Sequence, residues 1–216
     1  MEPGEGTNTV RILALGDSLT EGFYDGGRNF HSYSIMMKKE LEEKLPDGKE
    51  IYMQQAGVSG AYTSGMIRHL EHYLNPKTGP PFDVVCILGG TNDLSLDDSP
   101  EEIFSRIKRL YDMSLEHNPA AILVPITIPQ SFFRDSNYVA TRSAINQMIK
   151  EYWQTSPARE RIILVDLERL FPYFDESGTE DTTHWGDHLH MTPAGYDRFG
   201  SIMAAAVLPA IAPAAR

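Results

Sequence analysis

The sequence predicts an α/β protein, a three-layer α/β/α sandwich around a five-stranded parallel sheet. Three observations carry this expectation. Short apolar runs bounded by turn residues alternate five times with segments whose apolar positions recur at helical spacing. Two of the runs are apolar on both faces, as strands covered on both sides by helices must be. The 216 residues suit one hydrophobic core, and strand–helix–strand repeats in one core imply right-handed crossovers onto a parallel sheet.

The expected strands are Val10 to Leu15, Glu50 to Gln54, Asp83 to Leu88, Ala121 to Ile128 and Arg161 to Val165. Val84 to Leu88 and Ile122 to Ile126 are the doubly apolar pair and are expected to be central. Helical spacing runs through Tyr33 to Leu45, Thr63 to Leu74, Ile103 to Leu115, Val139 to Trp153 and Thr192 to about Ile211. Ser99-Pro100-Glu101-Glu102 and Thr192-Pro193 each place a capping hydroxyl before a proline, as helix starts favour. Positions 1–9 carry neither a basic n-region nor an apolar h-region, so they are expected to form a flexible tail ahead of one domain over 10–212, in a cytoplasmic protein. The Pro- and Ala-rich end from Pro209 is expected to fray.

Thirty acidic against 19 basic residues leave a formal charge of −11, which repels phosphate backbones and argues against a nucleic-acid partner. No apolar run approaches bilayer length, so stable membrane insertion is not expected. The single cysteine, Cys86, rules out an internal disulfide and suits a reducing compartment. A homo-oligomer is compatible with all of this.

Each chemically suggestive motif begins where an expected strand ends: Gly16-Asp17-Ser18, Gly57-Val58-Ser59-Gly60 and Gly89-Gly90-Thr91-Asn92-Asp93. Asp187-His188-Leu189-His190 lies between the fifth strand and the last helix. In a doubly wound sheet the carboxyl ends share one edge, where ligands bind. Ser18 is there a candidate nucleophile, His190 its base and Asp187 the acid that orients the imidazole. Gly60, through its N–H, and Asn92, through its side-chain amide, are candidate oxyanion donors. Each residue also has an ordinary structural alternative. Ser18 could cap a helix, Gly60 and Asn92 could serve turns, and His190 could be a packing histidine. The spacing after Ser18 lacks the G-x-S-x-G elbow, which excludes an ordinary α/β-hydrolase.

Two rival classes of function remain. His184, Asp187, His188 and His190 are metal-ligand types, and on an extended strand His188 and His190 would share a face, as in a metal-dependent hydrolase. A catalytically silent binding domain on the same fold is the other.

The four segments resemble the blocks of the SGNH hydrolases, the GDSL-type esterases and lipases. Gly16-Asp17-Ser18-Leu19 looks like the first block, Gly60 the second, Gly90-Thr91-Asn92-Asp93 the third and Asp187-His188-Leu189-His190 the last. The resemblance implies a flavodoxin-like topology and an ester hydrolase acting on a small acyl ester without metal or other cofactor. It further implies a Ser18 acyl-enzyme with His190 as base, Asp187 as its orienting acid, and oxyanion donors at the Ser18 N–H, Gly60 and Asn92. Family members often carry asparagine where Gln55 stands, a departure outside the name-giving residues. Tyr24, Tyr62, Phe132 and Phe133, in loops following the strands, are candidates for binding substrate.

Overall fold

The computed structural model describes residues 9–46 and 48–212. The main sheet contains β1 (Thr9–Gly16), β4 (Glu50–Gly57), β5 (Val84–Leu88) and β6 (Ile122–Pro125), all parallel and ordered β4-β1-β5-β6. Alternate residues of each strand face opposite layers. Ile12, Ala14, Val84, Cys86, Leu88 and Val124 pack under α2 (Tyr33–Lys44) and α7 (Pro193–Ile211). Leu13, Leu15, Val85, Ile87 and Leu123 pack under α3 (Thr63–Leu74), α4 (Pro100–His117) and α5 (Ser136–Thr155). The expected three-layer α/β/α sandwich is therefore the observed one.

Its helices begin where the sequence places their caps. Ser99 accepts from the Glu102 N–H while Glu102 accepts from the Ser99 N–H, and Thr192 accepts from the Gly195 N–H. On α7, a Cβ at Gly200 would collide with the backbone of Tyr33, so glycine lets α7 lie directly on α2. The helix runs on through Pro209 to Ile211, so the fraying expected from Pro209 is absent as far as the described residues reach. Of the expected flexible tail 1–9, residues 1–8 lie outside the described residues, and Thr9 pairs with Glu50 in the sheet.

The fifth strand is the main correction. Residues 161–165 reach β6 and the residue after it only through isolated bridges, Leu123 to Ile162 and Ile126 to Val165. The cause lies in β6 itself. Ile163 donates to Leu123 O, Val165 to Pro125 O and Thr127 to Val165 O, so Pro125 faces the fifth segment. Having no N–H, it cannot make the return bond that would complete the ladder. As a result β1 and β5 occupy the middle of the four-stranded sheet, while β6 ends the regular ladder instead of being central. A second feature absent from the expectation is a two-strand hairpin, β2 (Phe23–Tyr24) against β3 (Asn29–Phe30), after the short helix α1 (Ser18–Glu21). No helix among the described residues is long and apolar enough to cross a membrane.

Pro125→Val should supply the missing donor. Amide exchange in 161–165 should slow, with stability rising by about 1 kcal/mol, a typical net value for one hydrogen bond. Unchanged protection of Val165 would show that the proline does not limit the ladder.

Candidate active site

The register of the sheet aligns the loops that carry the candidate residues. Gly16 lies level with Gly57 on one side and Leu88 on the other, so Ser18, Gly60 and Asn92 follow from one edge. Asp17 caps α1 by accepting from the Leu19 N–H at 2.9 Å, so the cap alternative for Ser18 does not hold. Ser18 is the first residue of the helix, where a backbone N–H has no intrahelical acceptor.

The partner segment comes from the far end of the chain. An antiparallel bridge between Trp185 and Met191 closes a turn in which Gly186 donates to His190 O. Within it Asp187 Oδ1 accepts from the N–H groups of Leu189 and His190 at 2.7 and 2.6 Å. Its Oδ2 stands 2.9 Å from His190 Nδ1, and His190 Nε2 stands 3.0 Å from Ser18 Oγ. Partial burial pushes the Asp187 carboxyl up, but the two backbone donors and the imidazole outweigh it, and its pKa falls below the usual carboxylate value. Asp187 thus stays an anion that can hold a histidine in one tautomer. The Phe23 ring leans on His190 at 4.4 Å between centroids, a contact the sequence did not reveal.

The 58–61 turn uses its amides unevenly. Val58 donates to Gly16 O, Ser59 to Glu21 Oε2 and Ala61 to Val58 O. Among the described residues the Gly60 N–H has no acceptor, and its φ of 76° is one that glycine adopts without strain. Asn92 Nδ2 donates to Ala61 O at 3.0 Å, which uses one of its two hydrogens and aims the amide at the same turn. Asp93, buried, accepts from the Thr63 N–H and from Arg106, and so ties the start of α3 to the Asn92 turn. Arg106 also binds Thr63 Oγ1 and Asp98. Nothing in the local sequence around Asp93 or Arg106 signals this brace, because Arg106 reaches its partners across 8 to 43 positions. Gln55 donates to Thr20 O beneath α1, a supporting position away from the reacting groups.

The chain belongs to the GDSL-like lipase/acylhydrolase family. That family's pattern matches residues 14–198, most of the chain. Among solved structures, the lipase/acylhydrolase from Enterococcus faecalis superposes with a TM-score of 0.68 at 18% identity, covering 96% of this chain and 100% of that one. A lipolytic protein of the G-D-S-L family from Veillonella parvula gives 0.67 at 18% identity, covering 94% and 98%. A lipase from a goat rumen metagenome gives 0.67 at 18%, covering 91% and 97%. At such identities these structures speak for the fold, while the family match makes the chain a carboxylic ester hydrolase in class. Among curated proteins, none matches the sequence.

The metal-ligand cluster is dispersed. His184 Nδ1 pairs with Asp181 at 2.7 Å, His188 stacks on Phe132 at 4.2 Å, and His190 turns to Asp187 and Ser18. Residues 187–189 form bends instead of a strand, so His188 and His190 do not share a face. Among the described residues no group of three His, Cys, Asp or Glu side chains could hold a metal.

The four aromatic candidates separate as well. Tyr24 lines a cleft of about 350 Å³ with Asp187 and His190, and Tyr62 lines one of about 600 Å³ that includes Gly60. Phe132 and Phe133 line a third of about 660 Å³ with His188 and Phe174.

Asp17 has a cost tied to its position. Among the described residues its Oδ2 is buried without a hydrogen-bond partner, and burial lifts the carboxyl from 3.8 to about 6. A raised carboxyl pKa means that the folded state holds the proton longer than the unfolded chain does. The resulting penalty is complete above about pH 6 and disappears below the unfolded value. Asp17→Asn keeps the Oδ1 acceptor and removes the charge. It should therefore stabilise the fold at about pH 8 by up to about 3 kcal/mol, and by progressively less as the pH falls toward about 4. Equal denaturant midpoints for the two proteins at both pH values would contradict this.

Proposed function

We propose that the protein hydrolyses a small carboxylic ester through an acyl-enzyme on Ser18. The observation that carries this reading is the continuous chain Ser18 Oγ, His190 Nε2, His190 Nδ1, Asp187 Oδ2, with links of 3.0 and 2.9 Å.

Ser18 Oγ attacks the ester carbonyl carbon while His190 Nε2 takes its proton, and the carbonyl oxygen becomes an oxyanion. Three donors suit that charge: the Ser18 N–H, the Gly60 N–H and the second hydrogen of Asn92 Nδ2. The intermediate collapses as the bond to the alcohol oxygen breaks and Nε2 returns the proton to the departing alkoxide. Water, activated by the same imidazole, then attacks the acyl-enzyme, releases the acid and restores Ser18. Another alcohol in place of water would give transfer. No step calls on a cofactor.

The ionised Asp187 stabilises the imidazolium formed in both steps, and its lowered pKa keeps it in that state through mildly acidic conditions. The imidazole can accept the Ser18 proton at Nε2 only in its neutral form.

Ser18→Ala should lower kcat by on the order of 10⁶-fold, and Asp187→Asn by about 10⁴-fold, following other serine triads. An organophosphonate should label Ser18 in the wild-type chain. Near-wild-type turnover of p-nitrophenyl butyrate by Ser18→Ala would end the acyl-enzyme reading, and a silent binding domain would leave the phosphonate unreacted.

A further inference from the structure

The cleft at the start of α3 has features that the acyl-enzyme chemistry does not use. It runs from Gly60 along one side of the helix, past Tyr62, Gly65 and Met66 to Arg68 and His69. Its lining includes Arg68 and His69 and no acid, although Asp and Glu outnumber Lys and Arg in the chain 30 to 19. Arg68 is exposed, and among the described residues its guanidinium has no ion pair or hydrogen bond. Glu21 accepts from Ser59, and Glu71 lines a separate cleft with Glu116 and His117.

Gly65 adds a second observation. Glycine is poorly suited to a helix, and here packing does not demand it, because a Cβ at this position would meet nothing within 4 Å. The bare backbone instead leaves the middle of the cleft open between Gly60 and Arg68.

Chemistry decides which arm of the ester would enter. The departing oxygen must receive its proton from His190 Nε2, so the alcohol lies on the histidine side, toward Phe23 and the cleft lined by Tyr24, Asp187 and His190. The acyl substituent then extends the other way, past Gly60. Arg68 lies five residues beyond Thr63 along α3, about 7.5 Å of helix rise from the helix start, in the same cleft as Gly60.

We propose that this cleft holds the acyl arm and that Arg68 selects acyl chains ending in an anion, which makes monoesters of short dicarboxylic acids the substrate class. The assignment rests on the acyl-enzyme reading of Ser18. The reaction consumes one water and yields the dicarboxylate, the alcohol and a proton.

The test compares p-nitrophenyl butyrate with p-nitrophenyl hemiglutarate on the full chain. Wild type should favour the hemiglutarate in kcat/KM, and Arg68→Gln should reduce that preference about tenfold through KM, as loss of a charge-assisted contact does. Arg68→Lys should restore part of it, since charge without the planar fork remains. Gly65→Leu should shift the acyl-length preference toward acetate. An equal preference in wild type and Arg68→Gln, with Ser18-dependent turnover of butyrate intact, would overturn the cleft assignment alone. Turnover that survives Ser18→Ala would overturn the acyl-enzyme reading and the assignment with it.

Discussion

The parallel pairing of β1 with both β4 and β5 is the constraint on which the site depends. Because Gly16, Gly57 and Leu88 stand abreast, three loops leave the sheet at one level, and Ser18, Gly60 and Asn92 need only two to four further residues to meet. Register in a sheet buried on both faces is strongly specified. A slip of one residue would exchange the Ile12 and Ala14 layer with the Leu13 and Leu15 layer. The apolar alternation that forms the two cores therefore also sets the alignment of the candidate catalytic groups.

Carboxylates finish the alignment. Asp17 accepts from Leu19, Glu21 from Ser59, Asp93 from Thr63, and Asp187 from Leu189 and His190, each binding a backbone N–H at the carboxyl edge. Such charge-assisted bonds are stronger than neutral ones and fix the loops without large side chains that would crowd the site. They also settle which amides remain free. With Val58, Ser59 and Ala61 occupied, Gly60 keeps an unengaged N–H in its turn. Part of the chain's negative charge is thus structural, and Asp17 shows the accompanying strain, since its second oxygen is buried with no partner among the described residues.

Much of this was legible in the sequence because it rests on local rules. Helix starts at Ser99 and Thr192, the bounds of α3 and the positions of four strands follow from caps and periodicity. The motif blocks were legible because the chemistry demands those residue types in that order. The fifth strand failed for a reason that was visible in principle: Pro125 lies inside the apolar run 121–128, and a proline there removes a ladder donor. Other features had no local signal. The contact of Phe23 with His190 and the link from Arg106 to Thr63 join distant positions, and only the completed fold brings them together.

The same sheet order accounts for why the aromatic candidates could not be assigned to one pocket in advance. Loops that follow β4 and β6 leave opposite sides of the β1–β5 pair, so Tyr62 and Phe132 belong to different clefts despite their similar chemistry. In the proposed reaction at Ser18 the ester has two arms to place, and proton delivery from His190 would make those arms inequivalent. On that proposal substrate selection would be divided by topology: the loop after β4 and the face of α3 lie on the acyl side, while the β2–β3 hairpin and the cleft lined by Tyr24 and His190 lie on the alcohol side. Each cleft can change its lining without disturbing the register that holds Ser18, Gly60 and Asn92 together.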